Sequence, residues 1–141
     1  MQPRNDTMPS MSDRVRIAAG LMSLATGAIY TLQLAAAFDR NPYLGGVFIA
    51  IACLQIIYAI VLLTQLWTID SIGRPRPDSV THANRWFRAG VGGNLFLIIA
   101  LSVSLAGVIP PLSTGALELV SVVLGLLLTV CLVALVRLSR S

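Results

Sequence analysis

Residues 43–67, YLGGVFIAIACLQIIYAIVLLTQLW, form a stretch of the chain without a single charged side chain. As an α-helix with a rise of 1.5 Å per residue, about 20 residues cross the ~30 Å hydrocarbon core of a bilayer. A stretch of this length and composition predicts a membrane-spanning helix. Asp39-Arg40-Asn41-Pro42 precedes it and predicts a tight turn, because asparagine and proline interrupt a helix and proline is tolerated at the start of the next one.

Three other stretches have the same character, and apart from Glu118 their charges lie near their ends. They are residues 15–38, 87–109 and 114–137. We therefore predict an all-α membrane protein with four transmembrane helices in an up-down-up-down bundle. Residues 1–14 are then a tail, residues 68–86 a loop and residues 138–141 a stub. The composition agrees, since 11% of the 141 residues are charged, whereas soluble domains average about 25%.

The arginines predict the orientation of the bundle, because basic residues near span ends are retained on the cytoplasmic side. With both termini in the cytoplasm, Arg40 is the one arginine outside, and the nine on the inner side are Arg4, Arg14, Arg16, Arg74, Arg76, Arg85, Arg88, Arg137 and Arg140. We therefore expect a multi-pass protein of the cell membrane. The tail, the loop and the stub are then cytoplasmic.

A rival hypothesis treats residues 1–37 as a cleaved signal peptide. Ala35-Ala36-Ala37 matches the small-residue cleavage pattern, and a basic start and an apolar stretch precede it. The apolar stretch is the objection, because signal cores run about 7 to 15 residues and residues 17–37 are long enough for a full span. The four-span interpretation is preferred.

Several chemistries lack their residues in this composition. All ten basic residues are arginine, which removes lysine Schiff-base catalysis, and the one histidine, His82, lies in the polar loop. We see no catalytic constellation, no metal site, no cofactor motif and no phosphate-binding loop. The net charge of +4 is explained by topology, so nucleic-acid binding is not expected. The protein is predicted not to be an enzyme.

Glu118 is the one ionisable residue well inside a predicted span, which makes it the leading candidate for an intramembrane functional group. Gln33 falls at a similar depth below the outer surface, and Arg40 lies in the outer turn nearby. Two interpretations are open. Glu118 can exchange protons with the outside from within the bundle, or it can sit at the interface in the first turn of its helix and pair with Arg40.

The cytoplasmic loop is the second candidate site. It carries Arg74, Arg76 and Arg85, with Trp86 and Arg88 at the start of the third span. Such a basic cluster can contact anionic lipid headgroups or a protein partner, although the topology alone also requires it. Asp78 or Ser79 is placed to cap a helix that runs into this span.

Small residues spaced by four mark helix-packing seams in membranes, either within the bundle or between copies. The candidates are Ala19, Ser23, Gly27, Thr31 and Ala35 in span one, Gly46 and Ala50 in span two, Ala89 and Gly93 in span three, and Ser121, Gly125 and Thr129 in span four. By depth, Ser23, Asn94 and Thr129 form one polar layer, while Gln55 lies near the midplane. Cys53 and Cys131 are staggered too far for a disulfide and are expected to be buried free thiols.

Two functional classes remain. The favoured one is a small non-enzymatic accessory or scaffolding subunit that packs against other membrane proteins, because the loops are short and small-residue seams are abundant. The alternative is a small homo-oligomeric transporter or channel that uses Glu118. The sequence identifies neither a substrate nor a partner.

Overall fold

The computed structural model of the chain describes residues 10–68, 73–75, 77–105 and 116–138, and every regular element longer than three residues in these ranges is an α-helix. They are α1 (Met11–Leu32), α2 (Leu34–Arg40), α3 (Pro42–Thr64), α4 (Ser79–Leu105) and α5 (Ala116–Leu138), with a 3₁₀ turn at Leu66–Thr68. The all-helical class predicted from the sequence is confirmed.

Polar side chains cap the N-termini of α1 and α3. Ser10 is the N-cap of α1, and its hydroxyl accepts from the backbone amide of Asp13 at 3.2 Å. Asn41 caps α3 in the same way, accepting from the amide of Tyr43 at 2.8 Å, and Pro42 occupies the first turn. The predicted turn before span two therefore lies at Asn41, while Asp39 and Arg40 belong to α2.

The first predicted span, residues 15–38, is not one helix. The structure interrupts it at Gln33, which has the dihedrals φ −87° and ψ 0° and separates α1 from α2. The Gln33 side-chain amide donates to the carbonyl of Ile29 at 3.4 Å and competes for a carbonyl of the last turn of α1. The apolar pattern continues through this interruption, which is why the sequence did not indicate it.

The second predicted span, residues 43–67, ends earlier than expected. Gln65 adopts a left-handed conformation with φ 54°, which ends α3 at Thr64, and the chain then enters the 3₁₀ turn. Trp67 is buried in that turn against Phe87, with ring centroids 5.5 Å apart in an edge-to-face arrangement. At the other boundary, α4 begins at Ser79, directly after Asp78, as predicted.

The helices form a bundle in which α1 packs between α3 and α5, α4 packs on α5, and α2 packs on α3. One apolar core lies near the start of α1 and the end of α3, and a second lies near the end of α1 and the start of α3. Among the described residues, the backbones of α3 and α4 approach each other less closely than those of the other neighbouring helices. Side chains bridge that gap.

Three helical segments in the described residues are long and apolar enough to cross a membrane: Met11–Leu32, Pro42–Thr64 and Leu119–Leu138. These three segments are consistent with a membrane protein. The described part of α4 is not among them; its first half carries His82, Arg85 and Arg88. The fourth crossing and the cytoplasmic placement of both termini stay predictions.

Candidate functional site

Polar side chains bond to one another at two levels of the bundle, part-buried at the first and buried at the second, and α1 contributes to both. The first level, which we call the end cap, consists of Asp13, Arg16, Gln65 and the last carbonyls of α3. The second, which we call the central polar chain, consists of Ser23, Gln55, Asn94 and the carbonyl of Gly90.

Arg16 is the hub of the end cap. Its Nη1 donates to the backbone carbonyls of Leu62 at 2.6 Å and Leu63 at 3.2 Å. Gln65 turns its amide oxygen toward the guanidinium and accepts from Nη2 at 2.7 Å and from Nε at 3.2 Å. Asp13 accepts from Nη2 at 3.5 Å. All five N–H groups of the guanidinium therefore have acceptors within the protein.

The end cap supplies hydrogen-bond donors to the C-terminus of α3. The last carbonyls of a helix have no intrahelical partner, and α3 has no basic residue in its own last turn. Arg16 supplies both the donors and the positive charge that favour a helix C-terminus, and it does so from a neighbouring helix. Its side chain is 11% exposed.

Sequence reasoning counted Arg16 as a topology signal and missed this role. A usable signal was present, because Arg16 is the one charged residue inside the predicted span 15–38. A buried arginine there needed acceptors, and the uncapped end of α3 offered them.

The central polar chain joins three helices. The hydroxyl of Ser23 in α1 lies 2.6 Å from the side-chain oxygen of Gln55 in α3 and 2.8 Å from its backbone carbonyl. The Gln55 amide donates to Asn94 Oδ1 in α4 at 3.3 Å, and Asn94 donates to the carbonyl of Gly90 at 2.9 Å. Ser23 and Asn94, which were predicted to share a layer, are thus connected through Gln55. Thr129 instead donates to Gly125 in its own helix.

Tyr58 makes the second bridge between α3 and α4. Its hydroxyl donates to the carbonyl of Trp86 at 3.0 Å. The ring reaches α4 at Gly90, where an added Cβ would overlap the phenol group. A glycine at this position therefore lets the tyrosine approach the α4 backbone.

The outer candidate site is not assembled by the described residues. The side chain of Glu118 lies outside them, and so does any contact that it makes. Gln33 is buried and uses its amide on Ile29, while Arg40 is exposed at the end of α2. The proposed roles of these three residues stay predictions.

The cytoplasmic candidates lie on the surface. Arg85, Trp86 and Arg88 are exposed on the first half of α4, and Arg74 is exposed before it. Arg76 lies outside the described residues. His82 in the same half forms an ion pair with Asp78 at 3.2 Å when it is protonated.

The predicted packing seams divide into two groups. Part of the predicted rows in spans one and four is buried, namely Ala19, Ser23 and Gly27, and Ser121 and Gly125, whereas Thr31 and Ala35 of span one are exposed. At Gly27 an added Cβ would lie 2.8 Å from Ile56 and 3.3 Å from the carbonyl of Ala52, so α1 and α3 meet closely there.

The expected bundle seams of spans two and three are wrong, because Gly46, Ala50, Ala89 and Gly93 all lie on the exposed side. The inward faces of α3 and α4 instead combine large side chains such as Phe48 and Phe87 with other small residues such as Ala52 and Gly90. The cysteines are free, as predicted, but Cys53 is exposed where a buried thiol was expected.

A cavity of about 380 Å³ opens beside the end cap, between the start of α1, the 3₁₀ turn, the start of α4 and the end of α5. Arg16 and Asp13 line one wall, and Trp67 and Phe87 line the interior. Within the residues that the structure describes, no three His, Cys, Asp or Glu side chains cluster as a metal site. Comparison with protein-family models, curated proteins and solved structures finds no match to this chain.

Proposed function

We propose that this chain is a small multi-pass protein of the cell membrane with a non-enzymatic accessory or scaffolding role. In this proposal the outer face of α4, defined by Ala89, Gly92, Gly93 and Phe96, packs against a helix of another membrane protein. Four crossings with both termini in the cytoplasm are part of the proposal, supported by the nine-to-one distribution of arginines.

The observation that carries the proposal is the pair of exposed glycines at 92 and 93. An added Cβ at either position meets nothing within 4 Å in the described chain. Glycine inside a helix costs about 0.5–1 kcal/mol relative to alanine, and a surface that faces lipid tails has no need for it. Two glycines beside Ala89 create a shallow groove that allows the backbone of a partner helix to approach closely.

The interior of the bundle supports the same interpretation. The side chains of the central polar chain bond to one another, and Arg16 has acceptors for all its donors. Such groups hold helices together. In contrast, the outer face of α4 has unfilled space and an exposed aromatic residue, Phe96, which is 74% exposed.

Site-specific photo-crosslinking in the native cell tests the proposal. A photoreactive residue replaces Ala89 on the outer face of α4 or, as a control, Ile57 on the exposed face of α3, which has no glycine or alanine three or four positions away. We expect position 89 to give one adduct with a different polypeptide, and Gly93→Leu to abolish it. Position 57 is expected to give no such adduct.

Two results would contradict the accessory role. Adducts of twice the chain mass, in which two differently tagged copies are joined, would favour a homo-oligomer and with it the transporter alternative. Equal adducts from positions 57 and 89 would contradict the assignment of the α4 face as the contact surface.

The topology has its own test in a variant with both native cysteines replaced by alanine. A cysteine at Pro77, in the exposed segment before α4, is expected to resist a membrane-impermeant maleimide in intact cells. A cysteine at Asn41 between α2 and α3 is expected to react. Labelling of position 77 from outside would contradict the proposed orientation.

A further inference from the structure

The cavity beside the end cap has two chemically different zones. Its interior is apolar and is formed by Trp67, Ala83, Phe87 and Leu135, all of which are buried. Its rim carries polar side chains, Ser12, Asp13, Arg16 and Ser79, together with the exposed apolar side chains of Val80 and Leu138. A site with an apolar interior and polar groups on its rim favours an amphiphile over a purely polar solute.

The position of the cavity agrees with this preference. It lies at the ends of two segments that are long and apolar enough to cross a membrane, α1 and α3, and beside the end of α5. A lipid headgroup lies at that level when these helices span a bilayer. The volume of about 380 Å³ suits a headgroup with its glycerol rather than a complete lipid.

The charges on the wall indicate the class of headgroup. Asp13 and Arg16 present opposite charges with their nearest atoms 3.5 Å apart, so the wall carries a dipole and no net charge. The N–H groups of Arg16 are engaged, so this residue attracts a phosphate through its charge without a free donor. The Asp13 carboxylate is 42% exposed and has remaining lone pairs, so it can accept hydrogen bonds from a ligand.

We propose that this cavity binds a phospholipid whose headgroup carries a primary ammonium beside its phosphate, the phosphatidylethanolamine class. The ammonium donates to Asp13 and the phosphate lies toward Arg16, while the glycerol contacts the apolar interior. A choline headgroup has the same charges but no N–H donor, and a glycerol headgroup has no positive charge. The Asp13 carboxylate is therefore the group that distinguishes the three headgroups.

Short-chain lipids with identical dihexanoyl tails test the assignment on the purified, delipidated full chain in mild detergent. Native mass spectrometry measures the binding of the ethanolamine, choline and glycerol headgroups separately. A charge-assisted hydrogen bond predicts roughly tenfold tighter binding of the ethanolamine lipid than of the choline lipid. Equal binding of these two lipids, or tightest binding of the glycerol lipid, would overturn the proposal.

Variants locate the binding. Asp13→Asn is expected to reduce the affinity for the ethanolamine lipid to that for the choline lipid, whereas Asp39→Asn, an exposed carboxylate in α2, keeps the preference. Ala83→Leu fills the interior and is expected to weaken both lipids at least severalfold. If Asp13→Asn fails to fold, Ala83→Leu together with the comparison of headgroups still decides, since unchanged binding in Ala83→Leu contradicts the cavity as the site. Phosphoethanolamine without acyl chains is expected not to compete, and effective competition would exclude the apolar interior from the site.

Discussion

The end cap and the central polar chain are both anchored by α1, seven residues apart, and they use opposite kinds of polar chemistry. The end cap is organised by a charged guanidinium that satisfies backbone carbonyls. The central polar chain contains a hydroxyl and two carboxamides, all neutral. At 1.5 Å per residue, the two lie about 10 Å apart along the helix.

This difference follows from the cost of burial. A charged side chain at the bilayer centre costs about 2.5–3.5 kcal/mol on insertion scales, whereas near the ends the charge can reach the interface. Neutral amides and hydroxyls carry a smaller penalty and still connect helices. The charged donor therefore lies at a helix end, whose carbonyls lack intrahelical partners, and neutral donors lie where side chains only join one helix to another.

Removing the hub of the end cap is expected to have the largest effect. Arg16→Ala leaves the carbonyls of Leu62 and Leu63 without their donor and removes the charge at the end of α3. We expect the free energy of unfolding to fall by about 3 kcal/mol, because several hydrogen bonds to a charged group, the shortest of them part-buried, are lost together. Unfolding of the purified protein in mixed detergent micelles measures this change.

Two further variants define the cause of that loss. Arg14→Ala removes an exposed arginine from the same helix and is expected to change the unfolding free energy by less than about 0.5 kcal/mol. Arg16→Lys keeps the charge but loses the planar donor arrangement, so an intermediate loss is expected. If Arg14→Ala and Arg16→Ala destabilise the protein equally, the end cap has no special role.

The two ends of α3 differ in how well the sequence predicts them. Apolar segment lengths predict the helices, and Asn41 and Asp78 predict where α3 and α4 begin, because capping and turn chemistry act over a few residues. The end of α3 was not predicted, because it depends on Gln65 adopting φ 54° and on Arg16, which is 49 residues earlier in the chain. Contacts of that range depend on how the helices are rotated in the bundle.

Helix rotation also explains the mixed outcome for the small-residue rows. The spacing of Ala89 and Gly93 in α4 is the same as that of Ser23 and Gly27 in α1, yet the first pair is exposed and the second is buried. Spacing identifies a face that permits close approach. It does not identify which helix approaches, so the central polar chain was predicted in part while the outer face of α4 was assigned to the wrong side.

The bridge beside the central polar chain is tested by a matched pair of glycines in α4. Gly90→Ala places a methyl group on the ring of Tyr58 and close to Leu132, and is expected to destabilise the protein by about 2 kcal/mol. Gly92→Ala meets nothing within 4 Å and is expected to stabilise the isolated protein by roughly 0.5–1 kcal/mol through the unfolded state. Opposite signs in the same unfolding assay confirm the contact, and equal effects would contradict it.

Shortening the central polar chain is expected to cost less than removing the end cap. Asn94→Ala leaves the Gln55 amide without its acceptor, and hydrogen bonds between helices in membranes contribute about 0.6 kcal/mol on average. We expect a loss of about 1 kcal/mol, including the smaller side chain. Ser102→Ala is the control, because that exposed hydroxyl donates to Ile98 within α4 and joins no second helix. A loss as large as that of Arg16→Ala would contradict the expectation that the end cap contributes more to stability than the central polar chain.

The smallest expected effect is the coupling between the two ends of the central polar chain. Ser23 and Asn94 share Gln55, whose side-chain oxygen accepts from Ser23 and whose nitrogen donates to Asn94. After Ser23→Ala, the Gln55 side chain is held by one partner and can turn away from Asn94. A double-mutant cycle of Ser23→Ala and Asn94→Ala is therefore expected to deviate from additivity by about 0.5 kcal/mol, since residues in one network couple. Strict additivity within error would mean that Gln55 holds its position through packing alone, and the chain would then be two independent hydrogen bonds.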